Sequence, residues 1–246
     1  MHGTWSQATI GGKRVDLYDP PSSAPARFGV LFLHSGGLET LVDKTAYTRL
    51  FDSLRLACAC PHGQHSWWTD RICSAFDAKL TAERHVVYNV LPFMANRWRL
   101  APNGVGLLGI SMGGQGALRI AFKHPQLFPV VAGIASSVDC YEMYDQDEAL
   151  AEMYDSKEQC RQDTATMHVP PVGYPPHIFF CVDPGDVKWY RGNDRLHEKL
   201  SALGVPHTCD LTTRAGGHSW TYFDSVADRA VQFVHAGLEQ ESRRLL

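Results

Sequence analysis

Gly109-Ile110-Ser111-Met112-Gly113-Gly114 follows the apolar run 105–108 and precedes residues 115–124, whose apolar spacing and closing His124-Pro125 read as one helix. A strand, a sharp turn holding a serine, and a helix are the setting of a nucleophile elbow. Such a turn strains the serine backbone and lifts its Oγ out of the sheet, and flanking glycines let strand and helix approach. The pattern G-x-S-x-G occurs by chance in roughly one chain of this length in ten. The rest of the chain must therefore supply the partners.

Working outward, residues 28–33 and 127–135 are continuous apolar runs of strand length, as expected for parallel strands covered on both faces. Residues 5–10 and 13–18 flank Gly11-Gly12 and read as a hairpin. Pro20-Pro21-Ser22-Ser23-Ala24-Pro25 breaks regularity. Helical spacing marks residues 44–54, residues from Thr81 with the apolar face Val86, Val87, Val90, Leu91 and Met94, residues 193–203, and a closing helix from about Tyr222 to Leu238. Residues 56–60, 177–182 and 207–212 are further strand candidates. Strands alternating with helices predict a doubly wound sheet in one domain, 1–246.

Residues 138–169 differ in character. Asp139, Glu142, Asp145, Asp147, Glu148, Glu152, Asp155, Glu158 and Asp163 outnumber Lys157 and Arg161. The segment reads as helical, either as a solvated face or as a cap over a site, where its charge would disfavour anionic substrates.

Composition narrows the partners. The net charge is −3 and no Lys/Arg block is present, so nucleic acid and anionic membrane are not expected. A small-molecule substrate is. The 7 cysteines are odd in number and follow no regular framework, and they read as reduced thiols. Without an apolar leader pattern at the start or a run of about 18 apolar residues, the expected location is the cytoplasm. A homo-oligomer is compatible with all of this.

A serine hydroxyl needs a base, and the base an orienting acceptor. Chain order supplies Ser111, then Asp183 or Asp186 after a late strand, then His218 in Gly216-Gly217-His218 after the last strand candidate. The chain has 12 histidines, but core packing does not call for one in a glycine-rich loop at that point. His34-Ser35-Gly36-Gly37-Leu38 ends an apolar strand and can turn backbone N–H groups toward a ligand. Trp67-Trp68 lies in a loop and reads either as packing or as an aromatic pocket wall, the wall being favoured. Trp220 and Tyr190 join it as expected pocket residues. His62 and His65 have no helix or third ligand beside them, so no metal and no cofactor is expected.

Three stretches, Gly109-Ile110-Ser111-Met112-Gly113-Gly114-Gln115-Gly116-Ala117-Leu118, Cys181-Val182-Asp183-Pro184-Gly185-Asp186 and Gly216-Gly217-His218-Ser219-Trp220, together resemble the esterase D-like branch of the α/β-hydrolase superfamily. That branch includes S-formylglutathione hydrolases, mycolyltransferases and carboxylesterases. The likeness covers most of the chain from Phe28 onward, and S-M-G-G-x-G-A-L is its most specific part. It implies an α/β-hydrolase fold, a mostly parallel sheet flanked by helices, with residues 138–169 as a small helical cap-like insertion. By position it implies Ser111 as nucleophile, His218 as base and Asp186 as the orienting acid. The oxyanion would be held by the backbone N–H of Met112 and that of Leu38 or Gly37.

The activity implied is a serine carboxylesterase acting on small acyl esters through an acyl-enzyme. A thioesterase of the S-formylglutathione hydrolase kind, or an acyltransferase, would use the same residues. Outside enzymes, a hydrolase-fold binding module would be expected to lack one of the three side chains, and all three are present.

Overall fold

Strands Phe28–Leu33 (β3), Leu56–Pro61 (β4), Val105–Ile110 (β5) and Val130–Ile134 (β6) are buried along their whole length, which is why each reads as an unbroken apolar run rather than an alternating one. The computed structural model describes residues 2–21 and 25–244. Ser22, Ser23 and Ala24, the middle of the proline-rich break, lie outside them. The hairpin Thr4–Ile10 (β1) and Lys13–Asp19 (β2), with His177–Cys181 (β7) and Thr208–Asp210 (β8), completes an eight-stranded sheet of order β1-β2-β4-β3-β5-β6-β7-β8. The β1–β2 and β2–β4 pairs are antiparallel, and all pairs from β4 to β8 are parallel. The chain is thus a mixed α/β protein with a mostly parallel sheet, as the motif and the alternation predict.

Period-2 alternation sends neighbouring residues of one strand to opposite layers. Leu31 and Leu33 of β3 join the cluster that holds Val86, Val90, Leu118 and Phe122, while Val30 and Phe32 join the one with Tyr47, Phe51, Val231 and Val234. The first layer is made by Ala82–His85 (α2), Leu91–Trp98 (α3), Met112–Lys123 (α4) and, further on, Tyr190–Ala202 (α7). The second is made by Thr45–Leu54 (α1), Trp220–Ser225 (α8) and Ala227–Arg244 (α9).

Several boundaries differ from expectation, each for a local reason. The helix from Thr81 passes through a π turn, Val86–Val90, just before Pro92, where a regular ladder would lose an N–H donor. The last strand stops at Asp210, because its Oδ1 takes the N–H groups of Thr212 (2.9 Å) and Thr213 (3.1 Å) and turns the chain. The closing helix is two helices, offset at Val226, and it runs on to Arg244. The strand expected over 127–135 begins at Val130, after the carbonyl of His124 has accepted the N–H groups of Leu127 and Phe128.

The acidic segment forms two short helices, Glu148–Met153 (α5) and Lys157–Gln162 (α6), between 3₁₀ turns Cys140–Met143 and Ala165–His168. Its Leu150, Tyr154, Cys160 and Ala165 enter the same apolar cluster as α4, while Glu142, Asp145, Glu148 and Glu158 face solvent. A buried ion network ties it down. Arg119 of α4, 2% exposed, pairs with Glu83 on one side and with Asp163 at 2.5 Å on the other, and Lys123 (2.6 Å) and His124 (2.9 Å) also reach Glu83.

The elbow itself rests on two backbone approaches. A Cβ at Gly113 would stand 1.9 Å from the carbonyl oxygen of Leu33, and one at Gly109 would stand 2.0 Å from that of Gly113. Both contacts are with main chain of the sheet or the first helical turn, so neither can swing aside. Gly113→Ala should therefore lower unfolding free energy by about 3 kcal/mol or more, read from the urea midpoint. A midpoint within error of the parent would show that α4 can shift away from β3.

The ion network predicts an acid-sensitive fold. Burial opposes ionisation of Glu83, but His124, Arg119 and Lys123 outweigh it and lower its pKa from 4.5 to about 2. A depressed carboxylate contributes its full stability above pH 4.5 and loses it as pH falls toward 2. Glu83→Gln should be destabilised by about 3–5 kcal/mol at pH 7, since Arg119 stays buried without its partner. It should also show a smaller further loss between pH 5 and pH 2 than the parent. Parallel stability-versus-pH curves would contradict this account.

Candidate active site

Ser111 sits between β5 and α4 with φ 56° and ψ −117°, a left-handed backbone that a non-glycine residue adopts only when its surroundings enforce it. Here its N–H donates to the carbonyl of Ile134 (2.9 Å), and its own carbonyl accepts from Gln115 (3.0 Å) and Ser137 (3.0 Å). The turn is thus held by the neighbouring strand as well as by the helix. Ser111 is 7% exposed, with its hydroxyl opening on a cleft.

The late loops converge on that hydroxyl. His218 places Nε2 2.9 Å from Ser111 Oγ and Nδ1 2.6 Å from Asp186 Oδ2. The three side chains, far apart in sequence, form one continuous hydrogen-bonded chain. Asp186 keeps its other oxygen on the N–H of Trp189 at 3.2 Å, and Phe223 packs edge-on against the imidazole at 5.3 Å. An imidazole held between a hydroxyl and a carboxylate can take the hydroxyl proton as the oxygen attacks a carbonyl, and the carboxylate then faces the cation that forms.

Asp183, the other aspartate that chain order left open, does not touch His218. Its Oδ2 accepts the N–H groups of Ala215 (2.6 Å) and Gly217 (2.8 Å), and its Oδ1 accepts that of Gly185 (2.6 Å). Burial opposes its charge, yet these amides hold its pKa below the ordinary carboxylate value. It therefore clamps the loop bearing His218 to the loop bearing Asp186. Chain order leaves both aspartates open, and the family resemblance implies Asp186, the one whose Oδ2 faces the imidazole.

The cleft has a volume of about 430 Å³. Trp67, Met143, Trp189 and Phe223 give it apolar walls, Gly36, Gly37 and Met112 lie beside the serine, and Asp147, Lys188 and His65 bring polar groups. Met112 begins α4, where the first amides have no intrahelical acceptor. In the facing loop, the N–H of Leu38 donates to the carbonyl of Ser35 at 3.0 Å and that of Gly37 points to Ser35 Oγ at 3.2 Å. A ligand there would have to displace one of these turn contacts.

The four aromatic residues expected to line a pocket separate into two groups. Trp67 does line the cleft, with Nε1 donating to Asp147 at 2.9 Å. Trp68 does not: it is fully buried beneath α4, where Gly116 makes room for it, and its Nε1 donates to the carbonyl of His34 at 3.2 Å. Trp220 and Tyr190 are also absent from the lining. Trp220 donates to Glu39 at 2.5 Å, with Lys44 stacked over its ring at 3.7 Å, and so joins the loop after β3 to the one carrying His218. Tyr190 packs against the core behind the Asp186 turn.

His62 is bonded to Asp16 at 2.9 Å rather than paired with His65. Ser137, with its Oγ 3.2 Å from that of Ser111, is a neighbour the sequence reading missed. The available signal was Ser136-Ser137 at the end of the strand adjoining the elbow strand. The sequence marks His34 only as part of a loop. It is buried and its pKa falls to about 4 through desolvation, so the neutral ring accepts the N–H of Gly63 at 2.9 Å and fixes two strand-end loops together.

Comparison with known proteins follows the same lines. No curated protein matches the chain by sequence. Among solved structures, FphF of Staphylococcus aureus, a fluorophosphonate-binding serine hydrolase, superposes with a TM-score of 0.78 at 16% identity over 96% of this chain and 99% of that one. An S-formylglutathione hydrolase from Agrobacterium tumefaciens gives 0.75 at 18% identity over 96% and 94%. MPT51 (FbpC1) of Mycobacterium tuberculosis gives 0.68 at 13% over 94% and 99%. At these identities the likeness is one of fold. The Esterase family, described as "Putative esterase", matches residues 6–232, nearly the whole length. The chain belongs to that Esterase family and shares the α/β fold of these solved structures.

Proposed function

We propose that the protein is a carboxylesterase that hydrolyses small acyl esters through a Ser111-His218-Asp186 triad and a covalent acyl-enzyme. The observation that carries this reading is the unbroken hydrogen-bonded chain from Ser111 Oγ through the His218 ring to Asp186 Oδ2, opening on a cleft of about 430 Å³. In the first step His218 Nε2 takes the Ser111 proton while Oγ bonds to the ester carbonyl carbon. The negative charge that develops on the carbonyl oxygen lies toward the Met112 N–H and the Gly36-Gly37-Leu38 loop. Met112 supplies one donor. The second is the Gly37 or Leu38 amide, once it lets go of Ser35. Loss of one such donor costs about 2.7–4 kcal/mol in related chemistry.

Collapse of the intermediate breaks the bond to the alcohol oxygen, which takes the proton from His218. Water then enters and gives a proton to the same Nε2 as its oxygen bonds to the acyl carbon; the bond to Ser111 Oγ breaks, Oγ takes that proton back, and the acid leaves. Trp67, Met143, Trp189 and Phe223 offer an apolar surface for the acyl group, and the volume limits it to a small one. The acidic rim of residues 138–169, with Asp147 in the lining, favours neutral over anionic esters.

Ser111→Ala should lower kcat on p-nitrophenyl acyl esters by about 10⁴–10⁶, because triad members act as a unit. A labelled fluorophosphonate should mark the parent and not the variant. Near-normal turnover by Ser111→Ala would defeat the proposal, and a chain-length series on the parent would fix the acyl limit.

The two aspartates should separate in kind. Asp186→Asn removes the acceptor of the imidazole and should reduce kcat by about 10⁴ with little change in unfolding midpoint. Asp183→Asn leaves that contact in place but loosens two loops, so its main effect should be on stability and only secondarily on kcat. If Asp183→Asn proves the more damaging to kcat at temperatures where both variants are folded, the roles are assigned the wrong way round.

A further inference from the structure

Away from the cleft, at the edge of the sheet, three donors converge that no motif announces. His197 of α7, His207 in the turn before β8 and Cys209 of β8 present one ligand atom each, all within 4.8 Å of one another. His197 Nδ1 stands 2.8 Å from His207 Nε2 and 3.3 Å from Cys209 Sγ. None of the three lines the cleft. We propose that His197, His207 and Cys209 form a binding site for a thiophilic divalent cation, of which Zn²⁺ is the type, and that the cation staples α7 to β8.

The arrangement goes beyond simple proximity. His207 Nδ1 lies 2.8 Å from the carbonyl of Val205, and a carbonyl only accepts, so the hydrogen is on Nδ1 and the Nε2 lone pair faces the other two donors. A backbone acceptor behind the ring is the outer-shell device that orients a metal-binding imidazole. Phe180 stacks parallel to the His207 ring, 12° between planes, and limits its rotation. Tetrahedral Zn²⁺ with Zn–N near 2.0–2.1 Å and Zn–S near 2.3 Å needs donor separations of about 3.3 Å and 3.6 Å. The observed 2.8 Å and 3.3 Å open to those values with side-chain shifts of about half an ångström. Two imidazoles and a thiolate suit zinc better than magnesium or calcium, which prefer oxygen. Water completes the coordination.

Proton balance is simple. Without a cation His197 Nδ1–H donates to His207 Nε2. On binding, that proton moves to His197 Nε2, Cys209 gives up its thiol proton, and one proton per cation is released to solvent. Burial raises the pKa of Cys209, with the fields of Asp210 and Asp194 adding to it, and that negative field draws a cation in.

The placement gives the site a consequence. α7 starts directly after the Asp186–Trp189 turn, and β8 ends at the Asp210 turn that leads to Gly216-Gly217-His218. A cation across α7 and β8 would fix the two elements adjoining the loops that carry the proposed acid and base.

Two measurements on the full chain, stripped of metal with a chelator, test this. Alkylation read by mass spectrometry needs no variant: Cys209 is only partly buried and the other six cysteines are buried. One equivalent of Zn²⁺ should protect Cys209 selectively. Equal labelling with and without Zn²⁺ would overturn the proposal. With Co²⁺ as probe, the parent should develop a thiolate-to-metal charge-transfer band saturating at one ion per chain and removed by one equivalent of Zn²⁺. Cys209→Ser, checked for folding by circular dichroism, should lose the band. His197→Gln should weaken Co²⁺ binding by more than about 100-fold, beyond the loss an outer-shell change gives. A band that survives in Cys209→Ser would place the metal elsewhere and end the assignment.

Discussion

The tightest constraint in the molecule is the approach of α4 to the end of β3. The Gly113 backbone stands where a Cβ would strike the Leu33 carbonyl, and the turn just before it holds Ser111 in a left-handed backbone. The constraint reaches outward in both directions. Below it, α4 lies flat enough on the sheet to cover Trp68 through Gly116 and to bury Arg119. Above it, Met112, the first residue of α4, lines the cleft beside Ser111.

Around that fixed point the other partners are carried by loops, and the loops are held by polar contacts rather than by packing. Asp183 gathers three backbone N–H groups and so sets the separation between the Asp186 turn and the His218 loop. Trp220, Glu39 and Lys44 do the same between the His218 loop and the loop after β3. His34 joins the ends of β3 and β4. Most of these contacts join segments far apart in sequence, and they sit at strand ends, where parallel sheets of this kind position their ligands. The acidic segment completes the enclosure, because the Arg119 network holds Asp163 in place while Asp147 and Met143 reach the cleft.

The legibility of the site was uneven, for reasons that lie in the residues. Ser111 and His218 are each embedded in glycine patterns that only backbone geometry explains, so they stood out from the other serines and histidines. Asp183 and Asp186 have the same chemistry three residues apart, and which of them meets the ring depends on the path of a turn. Trp67 and Trp68 are adjacent and identical in type, yet one faces the cleft and the other lies under a helix. Both carry left-handed φ values, 53° and 56°, which turn consecutive side chains in directions that neither strand nor helix periodicity foretells. The His197, His207 and Cys209 cluster joins a helix to a strand, with no spacing that a metal motif would recognise.

By itself, then, the sequence determined what local chemistry determines. Apolar runs bounded by glycine marked the parallel strands, period-3.6 stripes marked the helices, and the strand-turn-helix around Ser111 marked the fold, because only a narrow set of residues tolerates that turn. The tertiary structure decided everything that depends on distances between separate segments: the choice of Asp186 over Asp183 beside the imidazole, the burial of Trp68, the use of Trp220 as a tie, the Leu38 amide taken up by Ser35, and the Arg119 network. Those outcomes follow from how loops of similar composition meet in space, and composition is the same whichever way they meet.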